Sequence, residues 1–149
     1  MKTSLPYKKI IVEVVCCLYI LLFVYAAVSK LLDYQNFSTE LGQSPLLTKI
    51  SPVVAPAVIV SELLIAIFLS LKNTRRWALL MSFALMTIFT SYIFIILNFS
   101  HYVPCSCGGI LQKLGWTEHI VFNALFVALA VIGFLLAYPL NPTSKIKQP

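Results

Sequence analysis

Apolar residues in this chain do not alternate with polar ones. They run on without a break. Four stretches, about 10–32, 53–71, 77–97 and 120–138, are almost continuously apolar. A helix rises 1.5 Å per residue, so about 20 residues cross a hydrocarbon core of about 30 Å. Each stretch therefore predicts a membrane-spanning helix. A membrane barrel would need alternating segments of about ten residues instead. The predicted fold class is all-α: a bundle of four transmembrane helices in a single integral membrane domain covering residues 1–149.

Punctuation agrees with these limits. Pro6 precedes the first span, and Pro45, Pro52 and Pro56 lie in or near the connection into the second. Pro56 falls early enough in its helix to be tolerated. Thr117 is positioned to cap the fourth span, with Glu118 near its positive end. Pro139 and Pro142 stop the chain after it. Tyr7, Tyr34, Trp77, Tyr102, Trp116 and Tyr138 all fall near span ends, as an aromatic belt requires. The first apolar run is longer than a signal-peptide core and lacks a small-x-small cleavage site, so it is expected to stay as an anchor.

Composition strengthens the membrane assignment. The chain is 60% hydrophobic and 11% charged, with mean hydropathy +0.92. Soluble domains carry about 25% charged residues. So small a volume cannot bury this much apolar surface, and lipid must cover part of it. The net charge of +6 comes from short clusters between apolar runs: Lys2, Lys8 and Lys9; Lys72, Arg75 and Arg76; Lys145 and Lys147. This pattern reads as topology and contact with anionic lipid headgroups, not as a nucleic-acid surface. The remaining connections hold few basic residues (Lys49, Lys113 and Lys30 at a helix end). The bias puts both termini and the short middle connection in the cytoplasm. Segments 33–52 and 98–118 then lie on the outer side.

The outer segment contains Val103-Pro104-Cys105-Ser106-Cys107-Gly108-Gly109. An oxidising compartment permits disulfides. With one residue between the cysteines, a bond closes only a tight ring, which stores strain and raises the reduction potential. The glycines let the backbone turn and open a sulfur to attack. Three readings of the pair stand: a working redox couple with Cys105 and Cys107 as candidate catalytic residues, a structural clip, or half of a metal set with His101 and His119. The spacing matches no standard zinc motif. Cys16 and Cys17 are adjacent in the first span, with side chains about 100° apart, and read as small packing residues.

Polar residues inside the spans are the other signal. Glu62 lies near the middle of the second span, where an ionised carboxylate costs about 2.5 kcal/mol or more. It should face the bundle interior and be paired or protonated. Lys30, near the outer end of the first span, either snorkels or turns inward; a pairing with Glu62 is geometrically open. Asn123, Ser91 and Tyr92 complete a set that can face one polar cavity below the Cys-x-Cys segment. Glu13, one turn inside the cytoplasmic face, is expected to be solvated or paired with Lys9. His119 is expected at the interface, where it is placed to tune a thiolate.

The residues Ala27-Val28-Ser29-Lys30-Leu31-Leu32-Asp33, followed by Phe37, resemble the Lys-Leu-x-Asp and Phe pattern of the MauE/DoxX family of redox-associated four-helix membrane proteins. Glu62 sits where members often carry an acidic residue, and Asn123 fits a recurrent Asn of the fourth helix. Cys105-Ser106-Cys107-Gly108-Gly109 resembles the family's Cys-x-Cys-Phe-Gly loop, with Gly108 in place of the aromatic. The resemblance implies disulfide chemistry or maturation of exported proteins at a bacterial inner membrane, with the Cys-x-Cys segment on the periplasmic side and a thioredoxin-like or other exported protein as partner. The architecture is also similar, by analogy, to the quinone-linked DsbB and VKOR-type oxidoreductases, which makes a membrane quinone a candidate cofactor, with Lys30, Glu62 and Asn123 as candidate cofactor-binding residues. With one outer cysteine pair, the chain does not hold a complete two-pair relay. The alternatives are a non-catalytic anchor or assembly subunit of a larger complex, and a metal-handling protein.

Overall fold

The computed structural model describes residues 6–44, 47–99 and 115–137. Among these there are five helices and no strand: α1 (Pro6–Leu32), α2 (Tyr34–Gln43), α3 (Ser51–Ser70), α4 (Arg75–Phe99) and α5 (Trp116–Ala137). Four of them, all but α2, are long and apolar enough to cross a membrane. The expected spans are all present, with ends shifted by a few residues. The short α2 was not anticipated.

Each helix buries a narrow stripe and leaves the rest to lipid. On α1 the stripe is Val12, Val15, Cys16, Tyr19, Phe23, Ala26, Ala27 and Lys30, the three- and four-residue spacing of one helix face. Outside it, Ile10, Leu21 and Leu31 are exposed. In water such apolar exposure would be strongly unfavourable; in a bilayer it is the lipid contact. Inside the spans, several hydroxyl and amide side chains bond back to their own helix. Ser82 Oγ donates to the Ala78 carbonyl at 2.8 Å, Thr90 Oγ1 to Met86 at 2.7 Å and Asn98 Nδ2 to Phe94 at 2.8 Å. These donors are then not left facing hydrocarbon.

α3 packs on α1, and α5 packs on α4 and α1. The larger core joins Tyr19 and Phe23 of α1 to Leu69 of α3, Leu79 of α4, and Phe126 and Ala130 of α5. Small residues bring the helices close: a Cβ added at Gly133 would lie 3.1 Å from Val15 Cγ1 and 3.3 Å from Leu79 Cδ2. Tyr19 is fully buried; its hydroxyl donates to the Phe126 carbonyl, and the two rings meet edge to face at 5.2 Å.

Helix ends follow local chemistry. α2 starts after a break at Asp33 and stops at Ser44, whose backbone is extended as expected for the residue before Pro45. It buries Phe37 and Leu41 against Ala27, Ala55 and Ile59, so it caps this end of the bundle. Pro52 lies in the first turn of α3 and Pro56 inside the helix, as expected. The turn from α3 to α4 is closed by Thr74 Oγ1 on the Phe68 carbonyl at 2.7 Å and Arg75 Nε on the Leu69 carbonyl at 3.1 Å. α5 begins one residue before Thr117, with Gly115 accepting the first helical bond from His119 N at 3.0 Å. Thr117 is therefore inside the first turn and not the cap; Glu118 does lie in that turn.

Candidate functional site

At the end of the bundle capped by α2, a cavity of about 220 Å³ opens between the helices. It is lined by the end of α1 (Phe23, Ala26, Lys30), by α2 (Phe37, Leu41), by the first half of α3 (Val54, Val58, Glu62), by the last half of α4 (Met86, Phe89, Tyr92, Ile96) and by the start of α5 (His119, Phe122, Asn123). Ile88 also lines it and is 62% exposed on the outside of the bundle, so the cavity communicates with the lipid side.

The polar centre of the cavity is one ion pair. Lys30 Nζ lies 2.7 Å from Glu62 Oε1, with side-chain exposures of 7% and 1%. Its geometry follows from helix direction. Side chains tilt toward the N-terminus of their helix, so the Lys30 arm runs back down α1 to the level of Ala26, whose carbonyl is 3.5 Å from Nζ. Glu62 is about 17 Å along α3 from Ser51, which brings its carboxylate to the same depth. The ammonium also lies 5.8 Å from the Phe37 ring centroid and 5.9 Å from that of Phe89, contacts that favour a desolvated cation. The pair carries no net charge, which is how two ionisable groups are accommodated in hydrocarbon. One valence remains open: Glu62 Oε2 is buried without a hydrogen-bond partner among the described residues.

Lys30, Glu62 and Asn123, singled out from the sequence, thus line one cavity, and Lys30 turns inward to Glu62. Tyr92 joins them as expected. Ser91 does not; it is exposed on the other face of α4. His119 is 5% exposed and sits in the cavity wall, where an interfacial position was expected. Phe89 was missed, although Phe89, Tyr92, Ile93 and Ile96 have the spacing of one helix face. Tyr19 was missed as well. Glu13 pairs with Arg75 at 3.7 Å across to α4, not with Lys9. Cys16 is a buried free thiol within the core and Cys17 an exposed one.

Cys105, Cys107 and His101 lie outside the described residues, so of the metal set only His119 is described. Among the described residues no three His, Cys, Asp or Glu side chains come together as a metal site.

The family described as Methylamine utilisation protein MauE matches residues 8–136, a region that takes in every spanning helix except its outermost residues. No curated protein and no solved structure matches the chain.

Proposed function

The chain belongs to the MauE family of multi-pass membrane proteins, and from that premise we propose that it is a membrane thiol–disulfide redox protein serving the oxidation or maturation of exported proteins. Cys105 and Cys107 are its working couple. The observation that supports this most is connectivity. The segment holding Cys105-Ser106-Cys107-Gly108-Gly109 joins α4 to α5. The last turns of α4 and the first turns of α5 are walls of the cavity that holds the Lys30–Glu62 pair. The segment with the proposed couple is thereby joined at both ends to helices that wall a polar site.

Charge bias favours an outward loop and cytoplasmic termini in a bacterial inner membrane, where an oxidised couple persists. The chemistry is thiol–disulfide exchange through a mixed disulfide. An exported dithiol partner is oxidised as Cys105–Cys107 is reduced to two thiols. Reoxidation of those thiols releases two electrons and two protons, which pass to a thioredoxin-like disulfide or to a membrane quinone. The residues fit a quinone head: a donor at Lys30 Nζ, an open acceptor at Glu62 Oε2, the Asn123 amide, and ring-sized apolar space. The family's description ties its members to methylamine utilisation, and the exported client is proposed to belong to that process.

The test is trapping. Cys105→Ser and Cys107→Ser are made singly in the full chain, and mixed disulfides are sought by non-reducing electrophoresis and mass spectrometry. One single variant should accumulate a covalent partner that reductant releases. Full maturation of exported client in cells carrying the double variant would end the redox reading. A fixed copurifying partner with unchanged thiol state would favour the anchor role.

A further inference from the structure

The cavity is more selective than an apolar pocket. An apolar void of about 150 Å³ accepts benzene, so about 220 Å³ holds one substituted six-membered ring. Phe23, Phe37, Phe89 and Phe122 supply the apolar wall. Glu62 Oε1 is taken by Lys30, and Oε2 is buried with no partner among the described residues. An open carboxylate oxygen accepts hydrogen bonds and donates none. Leaving it unpaired in a low-dielectric site is costly, and a donor from a ligand relieves that cost. The Lys30–Glu62 pair is already neutral overall, so a charged head would bring an uncompensated charge into the membrane.

We propose that the cavity is a binding site for a lipid-borne, neutral, hydroxyl-bearing ring, whose hydroxyl donates to Glu62 Oε2 while its tail leaves past Ile88 into lipid. Carbonyl-only and ether-only rings of the same shape can accept from Lys30 Nζ or the Asn123 amide but leave Glu62 Oε2 unpaired, and are discriminated against for that reason. The requirement for a donor stands on the cavity alone. Naming the ring as a hydroquinone rests on the redox reading above. Within that reading the site holds the reduced carrier more tightly than the oxidised one. Tenfold tighter binding of the two-electron reduced form raises the potential of the bound couple by about 30 mV, which favours electron flow from the loop thiols to the carrier.

The experiment uses the full chain in lipid nanodiscs under anaerobic conditions, with empty nanodiscs as reference. Three probes are titrated: a decyl-substituted dimethoxybenzoquinol, its quinone, and the dimethyl ether of the quinol. The quinol should bind about tenfold more tightly than the other two. Glu62→Gln provides a reversal. The Gln carbonyl oxygen accepts from Lys30 Nζ, which turns the side-chain NH₂ into the place of Oε2. The open acceptor becomes a donor, and the quinone should now bind more tightly than the quinol. A merely structural Glu62 would lower all three affinities together. Equal affinity for quinol and ether on the unmodified chain, within threefold, overturns the proposal, as does binding no greater than to empty nanodiscs; neither result depends on how the variant folds. The Cys105→Ser, Cys107→Ser double variant should keep the quinol preference. A quinol preference on the unmodified chain, with Cys105 and Cys107 never changing thiol state, would sink the redox reading and leave the binding site standing.

Discussion

The two ends of the bundle use the same kinds of side chain under opposite rules. At the end capped by α2, Lys30 and Glu62 are held at 2.7 Å and almost wholly buried, in a cavity with an aromatic wall. At the other end, Lys9, Glu13, Lys72, Asn73, Arg75 and Arg76 line an open cleft of about 300 Å³. There Glu13 and Arg75 are 3.7 Å apart with side-chain exposures of 45% and 22%. Exposed pairs are screened and contribute about 0–1 kcal/mol. Buried pairs gain little over an apolar replacement, yet breaking one strands a charge. The cleft therefore settles its charges cheaply at the membrane surface. The cavity retains a costly pair, and burial on that scale points to a role other than stability. Packing is divided the same way. The larger core, with the close approach at Gly133, serves the middle and the cleft end, and only a small cluster around Phe37 and Leu41 holds the α2 end.

This contrast can be broken from its strongest side first. Lys30→Met strands Glu62 and should cost about 3–5 kcal/mol in reversible unfolding from mixed micelles. Adding Glu62→Leu should recover most of that loss, so the double-mutant cycle should return a large coupling. Gly133→Leu drives a side chain into Val15 and Leu79 and should cost about 1–3 kcal/mol in the same assay, while leaving the Lys30–Glu62 coupling intact. Tyr19→Phe removes one buried hydrogen bond and should cost about 0.5–1.5 kcal/mol. Glu13→Gln should cost no more than about 0.5 kcal/mol and should lose even that in high salt. If the cycle for Glu13 and Arg75 matched that for Lys30 and Glu62, the proposed division between the ends would be wrong.

The smallest effect concerns pH. Glu40 on α2 has its carboxyl raised above the usual range, first by burial and then by the nearby Asp33 carboxylate. The folded state then binds that proton more tightly than the unfolded chain. Stability from this group is present below the ordinary carboxylate range and is lost as pH rises through the raised value. Glu40→Gln should therefore stabilise slightly at neutral pH and not in acid.

The spans were legible because continuous apolar runs of about 20 residues have one physical solution in lipid. Glu62 was legible for the complementary reason, since a carboxylate amid such a run must find a partner. That Lys30 is the partner was not fixed by sequence. It depends on the Lys30 arm reaching back along α1 to the depth set by an antiparallel α3. α2 escaped notice because it is short and polar on average, and its apolar contribution reduces to Phe37 and Leu41. His119 looked interfacial because it starts a span, but α5 begins early enough to turn it into the cavity wall. Ser91 and Tyr92 are neighbours in sequence, and one helical step of about 100° sends one to the cavity and the other to lipid.

The central claim is that Cys105 and Cys107 cycle between thiol and disulfide, and one measurement addresses it directly. Intact cells are quenched and alkylated with a mass-tagged maleimide, with and without respiratory inhibition, and the number of tags on the chain is read by mass shift. The account predicts that Cys105 and Cys107 resist tagging in respiring cells and gain two tags when respiration is blocked. A pair tagged equally under both conditions, or blocked equally under both, would contradict it.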